Sequence, residues 1–229
     1  NRILHTTLFV GLVTVLHAAR PLPVSKLYWQ DPSFLASFNG SYRINARIEP
    51  TVSSEQRALL VQVQSQMKKG QREAALKLLE TSPLTKSSAA LIYNKGNIQL
   101  ELGQTEEAIR SFEMALELFP SFRRAFKNLG TALIKNENYK DAEAAFRNAV
   151  QLGELDGSTL GLLGYCYLQS EQYASALQAY RMAQLTQPTV VEWKAGVAQC
   201  LAEVGESQEA LKLIEEVVDS RPTEISYQL

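Results

Sequence analysis

The 229-residue chain has almost no histidine: His5 and His17 are the only two, and both lie in an apolar N-terminal stretch. Beyond residue 17 there is no imidazole. That excludes Ser-His-Asp and Cys-His catalysis from the rest of the chain and leaves no histidine ligand for zinc. An excess of one charge is missing as well. Lys and Arg number 23 against 24 Asp and Glu, a net charge of −1, so the positive surplus that displaces counterions from a nucleic-acid backbone is absent. No aromatic-and-basic motif replaces it, and nucleic acid is not an expected partner. Carboxylates occur as in any sequence, but no pair stands in a pattern that would push two acidities apart in a cleft. The chain is therefore read as non-enzymatic, with no catalytic residue, cofactor, metal or small-molecule substrate. Cysteine is scarce too, with Cys166 and Cys200 alone.

What is present begins with residues 1–19. They read as one Arg, an apolar run over residues 3–16, and then small residues. This is the layout of a secretory signal peptide cleaved near Ala18 or Ala19. The run of about 14 residues is short of the roughly 20 a membrane span needs. An uncleaved anchor and a buried core helix are the alternatives. On the signal-peptide reading the protein is exported to the periplasm, either free or tethered by this segment. Residues 20–52 form an aromatic arm and linker. Tyr28, Trp29, Phe34, Leu35 and Phe38 cluster there, Asp31-Pro32 supplies a helix N-cap and first turn, and residues 43–50 read as extended. The cluster either covers an open end of the helical array that follows or docks a partner.

From Ser53 onward, amphipathic helical patterns alternate with short Gly- or Asn-containing turns. Self-similarity at a fixed period organises them. Glu73-Ala74, Glu107-Ala108, Asp141-Ala142, Ser175-Ala176 and Glu209-Ala210 recur every 34 residues. Gly96, Gly130 and Gly164 keep the same period, continued by Ala198, as do Phe112, Phe146, Tyr180 and Ile214. Pro120, Pro188 and Pro222 fill the closing position, where Glu154 stands once. Each unit reads as two antiparallel helices. The small residue of the first (Gly96) is expected to face the small residue of the second (Ala108), and Phe112 to fill space toward the next unit. Pro120 cannot continue the second helix.

This register resembles the tetratricopeptide-repeat (TPR) family over residues 55–224. The resemblance implies an all-α, right-handed superhelix (an α-solenoid) of about five helix-turn-helix repeats. The units are a degenerate repeat at 53–88, then 89–122, 123–156, 157–190 and 191–224. In the degenerate unit Ala74 and Leu78 keep the pattern, and Gln62 and Thr81 depart from it. In the last, Lys194 replaces the usual first-helix aromatic. Residues 225–229 form a tail. TPR arrays close with a polar capping helix and none follows Pro222, so the chain is expected to be part of a longer one. Cys166 and Cys200, equivalent positions one repeat apart, are read as packed thiols, since a disulfide needs Cα atoms within about 7 Å.

The resemblance further implies a concave groove that binds a protein or peptide, lined by the second, fifth, sixth, ninth, twelfth and thirteenth residues of each unit. The candidate binding residues are Tyr93, Asn94, Asn97, Arg124, Lys127, Asn128, Thr131, Lys135, Tyr165 and Gln169. Asn97 and Asn128 match the two asparagines with which some TPR proteins clamp a peptide carboxylate. Tyr93, Ser158 and Leu162 stand where that clamp needs cations, so a carboxylate would be poorly compensated. What remains is a basic centre (Arg124, Lys127, Lys135) flanked by tyrosines, which favours an acidic or phosphate-bearing stretch. Residues 31–50 and 156–169 are also similar to exported TPR proteins accompanying bacterial TonB-type energy-transduction systems. The expected function is a scaffold or adaptor organising an envelope complex. The alternatives are an envelope carbohydrate- or lipid-associated accessory protein using the aromatic arm, and the docking arm of a larger enzyme.

Overall fold

The computed structural model describes residues 49–220, so residues 1–48 (the stretch expected to be a signal peptide and most of the expected aromatic arm) and 221–229 lie outside the described residues. Ten α-helices and one 3-10 segment follow one another within them. The helices pair as five hairpins: α1 (Ser54–Lys68) with α2 (Arg72–Thr81), α3 (Ala89–Glu101) with α4 (Thr105–Leu118), α5 (Arg123–Lys135) with α6 (Tyr139–Gln151), α7 (Gly157–Gln169) with α8 (Tyr173–Thr186), and α9 (Val191–Glu203) with α10 (Ser207–Ser220). Each helix packs mainly on its neighbours in sequence, and from the second hairpin onward first helices of successive hairpins meet along one side. This is the helical solenoid that the 34-residue period implies.

The hairpins close through three-residue turns whose middle residue is left-handed. Gly70, Gly103 and Gly205 supply it with φ of 73°, 77° and 90°, and Glu137 and Glu171 adopt it at 58°. Glycine takes this conformation without steric cost; glutamate does not. Several helix starts are capped by side chains. Ser53 forms a reciprocal capping box with Gln56 ahead of α1, and Asp156 accepts from the Thr159 amide at 3.0 Å ahead of α7.

Inside the second, third and fourth hairpins the close approach is between glycine and an aromatic ring rather than between glycine and alanine. A Cβ added at Gly96 would lie 2.7 Å from Phe112, and one at Gly130 would lie 2.8 Å from Phe146. Phe112 thus fills its own hairpin, which corrects the expectation that it points to the next. Ala108, Ala142 and Ala176 are fully enclosed beside these rings. The last unit does not lack its aromatic. Trp193, one place before Lys194, is buried against Tyr180 with centroids 6.3 Å apart and lies over Gly161 of the preceding unit. Cys166 and Cys200 are buried free thiols, and desolvation pushes Cys200 up to about 12.

The first hairpin follows a different register. Ala75 and Leu79 are its fully buried residues, whereas Ala74 is exposed and Leu78 half-buried. Ala75, Leu79 and the turn residue Gly70 each precede their counterparts Ala108, Phe112 and Gly103 by 33 residues. The expectation that Ala74 and Leu78 carry the pattern is therefore corrected by one position, and Val63, not Gln62, takes the place of Gly96. Val63, Ala75, Leu76, Leu79, Leu91 and Ile98 form a small core of their own, separate from the long core that runs from Ala89 to Ala210. A 3-10 segment (Pro83–Ser87) links this hairpin to the next.

Candidate protein-binding groove

The candidate residues from the second hairpin onward are largely consumed by bonds within the protein. Asn128 is 1% exposed. Its Nδ2 donates to Tyr93 Oη at 2.9 Å and to Asn97 Oδ1 at 2.7 Å, which joins α5 to α3. Tyr93 is 3% exposed, its ring 4.8 Å from that of Phe122, with the Arg124 guanidinium 5.5 Å from its centroid. Asn94 donates back to its own helix at Ala90 O. Thr131 is buried and donates to Lys127 O. Tyr165 is buried, edge-on to Tyr139, and burial pushes its hydroxyl well above the usual range. Gln169 beside it is half-buried. Lys135 is exposed, although desolvation of its ammonium by the surrounding protein pushes its pKa below the usual range.

The basic centre is real, and the protein supplies its own counter-ions. Arg124 Nε donates to Glu49 Oε2 at 2.8 Å, and Arg123 lies 3.8 Å from the other oxygen of the same carboxylate. Lys127, only 5% exposed, contacts Asp156 at 2.8 Å and Glu154 at 3.8 Å, while Arg123 holds Glu154 at 3.1 Å. Glu154 stands where other units have proline, so this junction is closed by charge instead of by a rigid ring. Glu154 and Asp156 are also a carboxyl pair with acidities pushed apart, which the sequence pattern did not reveal. Burial, then the hydrogen bond to Asp156, pushes Glu154 up to about 7. Burial works against ionised Asp156 too, but the hydrogen bond from Glu154 and the Lys127 charge hold it below the usual range. The pair sits inside an ion network at a helix junction, so its perturbed acidity has a structural cause.

Open space lies elsewhere, between α1 and α3. A cavity of about 690 Å³ is lined by Val52, Arg57, Leu60, Val61, Val63, Gln64, Met67, Lys68, Arg72, Asn94, Asn97, Ile98 and Glu101. In the 33-residue register, Arg57, Leu60, Val61, Gln64, Met67 and Lys68 are the second, fifth, sixth, ninth, twelfth and thirteenth residues of the first unit. The full set of groove positions of the hairpin read as degenerate thus faces this cavity, together with Asn94 and Asn97 of the next. Val61 is 61% exposed. The signal that would have found these residues is Gly70, whose distance from Gly103 is 33 and not 34. The floor is apolar. At the rim are Arg57, Lys68 and Arg72, the last bonded to Glu101 at 2.8 Å. Among the described residues there is no group of three or more His, Cys, Asp or Glu suited to a metal ion, and no helix long and apolar enough to cross a membrane.

With that geometry in place, comparison with known proteins is direct. A family model for the tetratricopeptide repeat matches residues 93–156, 128–189 and 162–225, which together exceed half of the chain. The TPR repeat-containing protein YpiA of Bacillus subtilis (strain 168) is 29% identical over 133 residues, 56% of this chain and 31% of that protein. The chain spans less than a third of the length of the curated relatives it matches. Among solved structures, MamA (residue 41 to the end) from Desulfovibrio magneticus RS-1 has a TM-score of 0.66 at 21% identity, covering 76% of this chain and 99% of that one. YrrB, described as a TPR protein with an unusual peptide-binding site, has a TM-score of 0.65 at 23% identity, covering 71% and 84%. At these identities the structural likeness speaks for the fold alone.

Proposed function

Because the chain belongs to the tetratricopeptide-repeat family, whose members are protein-interaction scaffolds, we propose that it is a non-enzymatic adaptor that binds its partner in the cavity between α1 and α3. The observation that carries this reading is the coincidence of the 690 Å³ cavity with the complete set of groove positions of the first unit. Its chemistry selects the occupant. Leu60, Val61, Val63, Met67 and Ile98 offer an apolar floor, and Arg57 and Lys68 stand at the rim. An apolar segment flanked by Asp or Glu fits both features. Asn97 spends its Oδ1 on Asn128 and keeps its Nδ2 as a donor for the segment's backbone. An acidic partner, first expected at Arg124 and Lys127, is thus proposed for Arg57 and Lys68.

The proposal extends to place. The signal-peptide layout of residues 1–19 supports an exported, periplasmic adaptor that helps organise an envelope complex. The similarity of residues 31–50 and 156–169 to TPR proteins of TonB-type systems suggests which complex that is. A photo-crosslinker at Val61, used in cells and followed by mass spectrometry of the captured peptide, tests both parts. The expected capture is one defined segment, apolar with flanking acidic residues, from an envelope protein. Arg57→Glu with Lys68→Glu should reduce the yield at least tenfold without moving Tm. Equal capture from exposed Lys140 on α6 would defeat the cavity assignment, and capture of cytoplasmic proteins alone would defeat export.

A further inference from the structure

Taking the α1–α3 cavity as the binding site, as proposed above, we infer that Glu49, Arg123 and Arg124 form a latch that positions α1 beside it. The shape of the site is then set from the third hairpin and not by the first hairpin itself. α1 is weakly seated on its own. Val63 is the one buried residue among its 15. The pair Arg72–Glu101, which ties α2 to α3, is largely exposed, and such pairs contribute little. The short strap leading into α1 is held differently. Glu49 is four residues ahead of the α1 cap Ser53, a span of at most about 14 Å. Its carboxylate is nevertheless bound at the start of the third hairpin, by Arg124 at 2.8 Å and Arg123 at 3.8 Å.

Both ends of this connection are built to hold. Glu49 is 2% exposed, and burial raises its pKa against the opposing pull of Arg124 and Arg123. It is a carboxylate taken out of water, and breaking such a pair by removing one partner is strongly destabilising. The anchor does not swing. The Arg124 guanidinium lies 5.5 Å from the Tyr93 ring centroid and 5.8 Å from that of Phe122, while Arg123 also holds Glu154 at 3.1 Å. Between the latch and the α1 cap stand only Pro50, Thr51 and Val52. Proline fixes its own φ, which leaves the strap little slack. Val52 is itself a wall of the cavity. Ser53 then passes the strap's position to α1 through its capping box, and Arg57, Leu60 and Val61 of that helix line the same space. With the latch broken, α1 samples positions in which the cavity is not formed. The apparent affinity for a partner falls by the fraction that stays competent.

Nitroxide labels at Ser65→Cys on α1 and Lys140→Cys on α6, both exposed positions, measure the placement of α1 in the full chain by pulsed electron paramagnetic resonance. The native thiols Cys166 and Cys200 are buried away from the label. The parent chain should give one narrow distance. Glu49→Gln and Arg124→Gln should each broaden it, and Arg124→Lys, which keeps the charge, should retain most of the narrow peak. Glu49→Gln should also lower capture from a Val61 crosslinker severalfold without moving Tm, a split that a merely stabilising contact would not give. Circular dichroism keeps a folding failure of Arg124→Gln separate, and Glu49→Gln then carries the test. An unchanged distance in Glu49→Gln would overturn the latch, and so would a broadened distance with capture intact. Absence of capture in the parent chain would defeat the cavity as binding site instead, and the distances would still decide the latch.

Discussion

The first hairpin and the four that follow are built from the same two-helix unit, yet they solve the packing problem differently. From Ala89 onward, a glycine on each of three successive first helices admits an aromatic ring, alanines line the second helices, and one continuous core results. In the first hairpin Val63 and Leu79 replace glycine and ring, the hairpin gives four residues to a small separate core completed by Leu91 and Ile98 of α3, and α2 is ten residues long against 13 or 14 in the later second helices. The small core leaves α1 standing off from α3. Tight packing closes the concave face in one region, and loose packing opens it in the other. In this solenoid, binding space arises where the repeat is least regular.

If the two cores are separate, truncating one large buried side chain in each should have different reach. Phe146→Ala removes a fully buried ring from the continuous core and is expected to cost about 3–5 kcal/mol, lowering the urea midpoint of the whole chain. Leu79→Ala is expected to cost about 2–5 kcal/mol of the first hairpin's stability. Hydrogen exchange should then accelerate over residues 54–81 and remain slow in α5 to α8. Equal acceleration throughout after Leu79→Ala would show one cooperative core and erase the distinction.

The register difference can be tested with two adjacent alanines. Ala75→Leu inserts three carbons where nothing is exposed and should cost about 1–3 kcal/mol in denaturant unfolding. Ala74→Leu, on the exposed side, should stay within about 0.5 kcal/mol. The reverse ranking would restore the unbroken 34-residue period and move the cavity-lining positions by one.

Much of this fold is legible in the sequence, because glycine, alanine and aromatic positions at a fixed spacing are consequences of helix packing itself. The period placed Gly96, Ala108 and Phe112 in contact-forming positions before any coordinates. It misread who touches whom, since a period gives equivalence between units and not contact within one. The site was less legible. Groove positions carried over from the family mark which face a residue is on, and Tyr93, Asn97 and Asn128 are indeed on one face. Whether that face is open depends on hydrogen bonds between units 31 and 35 residues apart, which no local pattern encodes. Lys127 looked like a free cation because Asp156 and Glu154 lie in a linker. The one-residue deletion that exposes Leu60 and Val61 was hidden by Glu73-Ala74, which mimics the motif in the wrong register.

The charged junction extends the comparison to the interface between the third and fourth hairpins. Folded Glu154 titrates at about 7 against the usual 4.5. Between those values the folded chain keeps a proton that the unfolded chain has released, so stability falls as pH rises through that window. Asp156 is depressed, so its contribution is present above its unfolded value of 3.8 and is lost only below it, outside the window. Allowing for solvent screening, the change is about 1–2 kcal/mol. Thermal unfolding at pH 5 and pH 8 should show it in the parent chain and not in Glu154→Gln. A decline that persists in the variant would assign it to another group.

The smallest expected effect lies in the hairpin turns. Glu137 and Glu171 take the left-handed place at φ 58° that Gly70, Gly103 and Gly205 occupy elsewhere. A side chain there costs about 1–2 kcal/mol, and glycine would relieve it while raising the entropy of the unfolded chain by about 0.4–1 kcal/mol. The balance favours Glu137→Gly by roughly 0.5 kcal/mol, and the double variant with Glu171→Gly should add nearly twice that because the turns share no partner. Gly70→Ala in the first hairpin should run the other way, destabilising by a similar amount, since alanine must adopt φ 73°. A loss of Tm in Glu137→Gly would mean that the glutamate side chain, and not the backbone, stabilises the turn.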